Sequence, residues 1–511
     1  MIMRLLLITI LLLFNVCGEI INAQEPTTTY FNKIYSLDLK HISFLGNEII
    51  DDHIYISSLM QKSDTVTGFA IAKADFAGNL IWLKQLNNIK SGYISYSLPK
   101  AFYKDAADNN FYLSGTIGKN SVDTDILLLK INTNGDTIYT HLFNRPKKSE
   151  GSSTILKADS TGCSVVCWSS APGGYSKLII LQTDKNGNEL PTIELNTIKY
   201  RTILYSQPTL DGGYILSGYS YTIEKGFDMY ALKLTANFET EWEKTWGTTE
   251  NDWGCFALQI SNGEYIILGA KQIGSKDQFY FARLDKDGNT LKTKLYPFND
   301  VCGADGSVVL MPNDDVIASV VDFSNTDTMR TQLTRFTKDG EIVWQSQLKT
   351  GMGFEDYIRD IERTPDGGFI LSGFNHLSPV TAWLVKTDSM GKTCGIANCD
   401  TTVILSSNNN NITANKPYNR GINNMQITHH AAGNSINLQA TIPLHLPYTV
   451  FSLYNLQGQK VYTSKPIFTN QTNGITAIDL VLPTSLPAGA YIGQLASGIG
   501  VVASGKLLII D

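Results

Sequence analysis

The chain reads as short alternations of apolar and polar residues broken by tight turn signals. That is the period-two pattern of half-buried β-strands, not the 3.6-residue pattern of amphipathic helices. One recurring segment is a turn followed by an apolar strand: DDHIYIS at Asp51, DNNFYLSG at Asp108, TGCSVVCW at Thr161, DGGYILSG at Asp211, NGEYIILG at Asn262, NDDVIASV at Asn313 and DGGFILSG at Asp366. A second is a strand that runs into another turn: AKADFAGNLIW, LKINTNGDTIY, LQTDKNGNEL, LKLTANFETEW, ARLDKDGNTLK, TRFTKDGEIVW and VKTDSMGKTC. The turn positions of this second set are Gly78, Gly135, Gly187, Phe238, Gly288, Gly340 and Gly391, spaced 50 to 57 residues apart.

Each unit predicts four antiparallel strands, because Asn-Gly and Asp-Gly turns supply the positive φ that a tight hairpin needs. Seven copies of a four-stranded unit predict a seven-bladed β-propeller over residues 29–400. A β-solenoid is the competing architecture, but its rungs are shorter than these units. The N-terminal TYFNKIY (Thr29 to Tyr35) matches TEWEKTW (Thr240 to Trp246), with Phe31 on Trp242, Lys33 on Lys244 and Tyr35 on Trp246. The seventh unit runs into CGIANC where its own outer strand is due. Residues 29–35 are therefore expected to supply the outermost strand of the last blade and close the ring.

In up-and-down blades the DGG and NGN turns share one face, and the remaining connections occupy the other. Those connections vary: SLMQKSDTVTG, GTIGKNSVDTD, GYSYTIEKGFD, GAKQIGSKDQ and WGTTENDWG. Variable loops on a rigid scaffold are where binding commonly resides. The acid–aromatic pairs Asp252-Trp253 and Asp356-Tyr357 enter innermost strands on that face and are the candidate ligand-binding residues. The structural alternative is that they are turn acids and packing aromatics.

Composition narrows the setting. Charged residues are 17% of 511, aromatics 10%, and the net charge is -6 with a pI near 5.7. This gives no electrostatic footprint for nucleic acid. Arg4, the apolar run Leu5 to Phe14 and the small Ala23 before Gln24 read as a secretory signal peptide over residues 1–23, too short to span a bilayer. Val16 before Cys17 argues against a lipoprotein. Export permits disulfides. Cys163 and Cys167 lie four apart on one strand, about 13 Å and too far to bridge. Cys394 and Cys399 flank a glycine-containing turn and are the disulfide candidate. Neither cysteine nor histidine spacing predicts a metal site.

Residues 401–421 contain an Asn-rich stretch read as a linker. Residues 422–511 alternate again and predict a small Ig-like β-sandwich. FSLYNLQGQKV (Phe451 to Val461), LPAGAYIGQL (Leu486 to Leu495) and the terminal GKLLIID (Gly505 to Asp511) resemble the C-terminal sorting domain of the Bacteroidetes type IX secretion system. The matching positions are Leu453, Tyr454, Gly458, Leu486, Pro487, Gly489, Tyr491, Gly505 and Lys506. An upstream Pro-Asn-Pro run is only loosely echoed by Asn415-Lys416-Pro417. The resemblance implies the type IX machinery as a partner, passage across the outer membrane, and surface attachment or release after removal of the domain. The repeats likewise look like the propeller repeats of such secreted proteins.

No motif assigns catalysis. HExxH, GxSxG and a phosphate-binding glycine loop are missing from the sequence. The DKDGN and DKNGN turns lack the Glu of a calcium loop, since Tyr296 and Leu195 stand at that position. The same turns resemble the Asp boxes of sialidases and the tryptophan-docking motifs of quinoprotein propellers, which are structural clasps. Trp82, Trp242 and Trp344 are accordingly read as packing residues. Asp-Ser/Thr triplets at Asp64, Asp136, Asp159, Asp327, Asp388 and Asp400 resemble an O-glycosylation acceptor of exported Bacteroidetes proteins, or are simply turns. The sequence implies no cofactor. It favours an extracellular binding module for a glycan or protein, with a glycan hydrolase and a structural surface-layer protein as alternatives.

Overall fold

A computed structural model describes residues 30–509 outside a set of short segments, the longest being 87–94, 323–329, 394–399, 415–422, 442–447 and 469–474. The described chain is all β, with many four-stranded antiparallel sheets, consistent with a propeller. The segment read as a signal peptide, the Cys394–Cys399 pair and Gly458 lie outside the described residues.

The fourth repeat shows the basic unit: Arg201–Pro208, Tyr214–Thr222, Gly226–Leu234 and Thr240–Trp246, hydrogen-bonded in chain order. The tight turns form as the sequence requires. Phe238, the one non-glycine at its turn position, has φ 64° and is stacked on Tyr214 at 5.4 Å. Apolar cores lie between successive sheets, not within single ones. One contains Ile215 and Met229 of the fourth repeat with Ile267 and Tyr280 of the fifth. Another joins Ile42 and Phe44 of the first repeat to Ile370 and Leu384 of the seventh.

Two repeated devices fix sheet to sheet and turn to strand. Each outer-strand aromatic packs on the turn glycine of the following repeat, so that a Cβ on Gly135 would lie 2.7 Å from Trp82 and one on Gly391 2.6 Å from Trp344. Trp242 also donates its indole N–H to the Lys286 carbonyl at 3.1 Å. The clasps are those expected from the docking motif. In the third repeat the outer strand is only Ile193–Leu195 and carries no aromatic, and Phe238 fills the gap from the turn itself. The second device is an ion pair from the third strand to the acid of the first turn: Lys130 with Asp105 at 2.8 Å, Lys233 with Asp211 at 2.8 Å and Lys386 with Asp366 at 2.7 Å.

The N-terminal strand Phe31–Leu37 pairs antiparallel with Thr381–Thr387, with Phe31 opposite Lys386 and Tyr35 opposite Ala382. Phe31 then packs on Gly78 of the first repeat, and Tyr35 donates its hydroxyl proton to the Gly78 carbonyl at 2.5 Å. It is not the outermost strand, however. Asp400–Asn408 adds to its free edge in parallel, from Asn32 opposite Asp400 to Leu37 opposite Leu405. That strand turns back as Asn411–Ala414, which pairs with the outer strand of the first repeat, Ile412 opposite Leu83. The first part of the expected linker is therefore a β-hairpin strap that merges the first and seventh sheets into one of ten strands. Its short length hid it. It offers backbone groups to two open edges, which strands leave unsatisfied unless something covers them.

In the C-terminal region a six-stranded and a three-stranded sheet form. Ile436 and Leu438 of the smaller sheet share one core with Phe451, Leu453, Tyr491, Leu495 and Leu507 of the larger. Tyr491 donates to the Pro487 carbonyl at 2.7 Å, and Leu486 N–H to Pro483 at 3.2 Å. Tyr454 lies under the Lys460 ammonium, while Lys506 is exposed. Gly489 and Gly505 lie on the adjacent strands Gly489–Ser497 and Gly500–Ile509.

Candidate functional site

The two acid–aromatic pairs stand where inner strands begin on the variable-loop face, and their acids are buried. Asp252 accepts backbone N–H bonds from Thr248 and, at 2.9 Å, from Gln272. Asp356 accepts from Thr350 N–H at 2.8 Å, from the Thr350 hydroxyl at 2.6 Å and from the Asn375 amide at 2.7 Å. Asp252 thus organises the loop that leads into its strand, and Asp356 ties Thr350 to Asn375.

The aromatics beside them form two patches. Trp253 stacks on Phe227 at 4.5 Å, and Tyr219 and Tyr221 pack around Phe227 at 5.5 and 4.9 Å. All four are half-buried or exposed, and Ile223 next to them is 89% exposed. Tyr357 packs against Phe374 at 5.3 Å, with the Arg359 guanidinium 5.4 Å from the Phe374 ring centre. The first patch belongs to the fourth and fifth repeats and the second to the seventh.

A third cluster was not anticipated. The innermost strands carry a β-bulge in the first, third, fourth, fifth and seventh repeats, between Phe44 and Gly46, Ser152 and Ile155, Ile203 and Tyr205, Trp253 and Cys255, and Ile358 and Asp360. A bulge leaves a residue without a ladder partner and re-aims its side chain. Leu45 and Ser153 at these bulges are buried, while Leu204 and Arg359 are half-buried.

In the second repeat Lys100 stands just before the inner strand with φ 61°, a conformation that costs a non-glycine residue about 1–3 kcal/mol. Its carbonyl accepts the Ile155 N–H at 3.0 Å, and its ammonium meets Asp360 of the seventh repeat at 3.2 Å. Asp360 also accepts the Asn47 N–H of the first repeat at 3.0 Å and the Ser307 hydroxyl of the sixth at 3.4 Å. One carboxylate therefore ties together four repeats.

Glu48 and Glu362 flank this pair, both half-buried. Burial and the nearby Glu362 carboxylate push Glu48 up to about 8, against the pull of Lys100. Burial raises Glu362 to about 7, with Lys100 opposing and Asp360 adding to the rise. Burial also works against the Lys100 ammonium, but Asp360 and Glu362 more than offset it, and it stays charged. Tyr205 of the fourth repeat is raised to about 12 by burial, with Lys100 lowering it and Asp360 raising it. Groups from well-separated repeats thus feel one another at a common centre.

Glu48 and Glu362 sit near the ends of their strands, His41–Ile50 and Asp356–Arg363, where the chain enters the tight first turns. The two carboxylates therefore lie toward the tight-turn face, opposite the loops singled out in the sequence. The available signal was charge inside otherwise apolar strands, FLGNEII and YIRDIER. Among the described residues no group of three or more His, Cys, Asp or Glu is placed to hold a metal ion. Cys163 and Cys167 are free and buried.

No protein-family model matches the sequence, and no curated protein sequence matches it. Similar chain paths occur among solved structures. A PL25 ulvan lyase solved bound to -[GlcA(1-4)Rha3S]- is 11% identical with a TM-score of 0.46, the match covering 70% of this chain and 96% of that one. The polysaccharide lyase Uly1 is 9% identical with a TM-score of 0.44, covering 67% and 89%. The phage phi92 endosialidase is 8% identical with a TM-score of 0.41, covering 95% and 88%. At these values the likenesses carry no argument about what this chain does.

Proposed function

We propose that this is an exported, surface-displayed binding protein: a seven-bladed propeller that presents its variable-loop face to an extracellular glycan or protein, followed by a type IX sorting domain. The observation that carries the binding role is the Trp253–Phe227–Tyr219–Tyr221 patch. Clustered aromatics on a scaffold pinned by buried ion pairs and aromatic clasps suit recognition, because little conformational freedom is lost on binding. Asp252 supports this indirectly by fixing the loop that leads into Trp253. Glycan arrays and pull-downs with the mature chain test the reading, with Trp253→Ala as the control. Binding that falls at least tenfold in this variant supports it, and absence of any ligand across host and microbial polymers overturns it.

A second reading, a glycan-active enzyme, is favoured by one observation. Glu48 and Glu362 are half-buried carboxylates with raised proton affinity beside Lys100 and Asp360, the environment in which a carboxylic acid donates protons near neutral pH. Screening polysaccharides for turnover by the wild type and by Glu48→Gln and Glu362→Gln decides it. Turnover lost in both variants supports the enzyme, and no turnover in the wild type removes it.

A further inference from the structure

One carboxylate on the variable-loop face has no role in the arguments above. Asp228, in strand Gly226–Leu234, is 5% exposed, and its Oδ1 is buried without a hydrogen-bond partner. A Cβ on Gly247 would lie 1.5 Å from that oxygen and 3.0 Å from Asp252 Oδ2. The carboxyls of Asp228 and Asp252 therefore close over the same glycine, and no larger residue at 247 would allow it. The Asp252 N–H donates to the Phe227 carbonyl at 2.6 Å, which seats the 247–252 loop directly on the strand that carries Asp228.

We propose that Asp228 holds a proton beside Asp252 and so forms a pH-sensitive latch on the loop that leads into Trp253. A neighbouring carboxyl group disfavours ionisation of a buried one. Thr248 and Gln272 each donate a backbone N–H to Asp252. Asp228 receives no such help at Oδ1, and a proton there satisfies an oxygen that has no solvent contact and no protein donor. The charged groups facing Asp228 are Lys225 at the head of its own strand, Asp252 on the loop and Lys271 on the neighbouring repeat. Burial raises its proton affinity and Asp252 adds to that, while the two lysines act the other way. Lys271 is also placed over the Tyr280 ring at 4.4 Å. Loss of the proton leaves a buried anion beside Asp252, and the loop lifts from the strand, taking Trp253 off Phe227. The latch does not depend on which ligand the face binds.

The test is tryptophan emission of the mature chain from pH 3 to 9, in the wild type and in Asp228→Asn, Asp252→Asn and Trp253→Phe. The wild type is expected to show a transition above the ordinary carboxylate range, about pH 4. That transition disappears in Asp228→Asn, whose amide does not titrate, and in Trp253→Phe. In Asp252→Asn it moves to lower pH, because Asp228 loses the neighbouring carboxyl that raises it. A transition unchanged in Asp228→Asn, or none in the wild type, overturns the latch. So does terbium luminescence that requires Asp228, since a metal ion rather than a proton would then join the pair.

Discussion

Lys100 and Asp360 approach to 3.2 Å from the second and seventh repeats, and Asp360 is almost wholly buried there. Attraction between such charges is set against the cost of taking both out of water, so the pair is worth little beside a well-packed apolar pair. Its value lies in position. Asp360 also bonds to the first and sixth repeats, and Lys100 to the third.

Removing one partner should therefore hurt more than removing both. Asp360→Ala is expected to cost about 3–5 kcal/mol, the range for an orphaned buried charge. The double variant Lys100→Met/Asp360→Leu should recover part of that loss. Denaturant unfolding as a double-mutant cycle measures the coupling, and additive losses would contradict it.

The same centre gives stability a pH slope. Glu48 at about 8 and Glu362 at about 7 bind protons more tightly in the folded protein than carboxylates do in an unfolded chain. The folded state therefore holds the extra protons between roughly pH 4.5 and 8, and stability falls as pH rises through that window. Thermal unfolding midpoints should decline across it in the wild type. They should decline less in Glu48→Gln and Glu362→Gln, and parallel profiles would count against the assignment.

Gly135 and Gly263 separate backbone strain from the aromatic clasp. Both have positive φ, 78° and 86°. A Cβ at Gly263 meets nothing within 4 Å, while at Gly135 it strikes the Trp82 ring at 2.7 Å. Gly263→Ala should cost about 1 kcal/mol from the backbone alone. Gly135→Ala should cost about 2–4 kcal/mol, since overpacking adds about 1–3 kcal/mol. Equal losses in urea titrations would mean the clasp gives way freely.

The strap places a boundary. A chain ending at residue 414 keeps both pairings of the hairpin, and one ending at 399 loses them. The shorter chain should be less stable by about 3 kcal/mol, taking about 1 kcal/mol for each of a few backbone hydrogen bonds. Calorimetry on the two truncations checks this, and identical unfolding curves would make the strap ornamental.

The repeating sheets were legible because turn chemistry and alternation recur at a fixed interval, and Trp82, Trp242 and Trp344 dock where the motif places them. The part played by Asp252 and Asp356 was open in the sequence, since an acid before an aromatic reads equally as a turn former or a ligand. Their hydrogen bonds to Thr248 and Thr350 show what holds them. The central charges escaped notice for a different reason. Lys100, Tyr205 and Asp360 lie far apart along the chain and share no spacing rule, and only the meeting of inner strands brings them together. The strap escaped because backbone pairing to an open edge leaves almost no trace in side-chain pattern.

The N-terminal strand finds its partners only at residues 381–387 and 400–408. During synthesis this strand thus waits as an unpaired edge until nearly the whole repeat array exists, and Phe31 and Tyr35 have no complete core to enter. A product broken off early keeps that edge and those rings in water, open to aggregation and to proteases. Burial of this strand is in effect a check that the repeat array is finished, and only chains that pass it leave no loose end there.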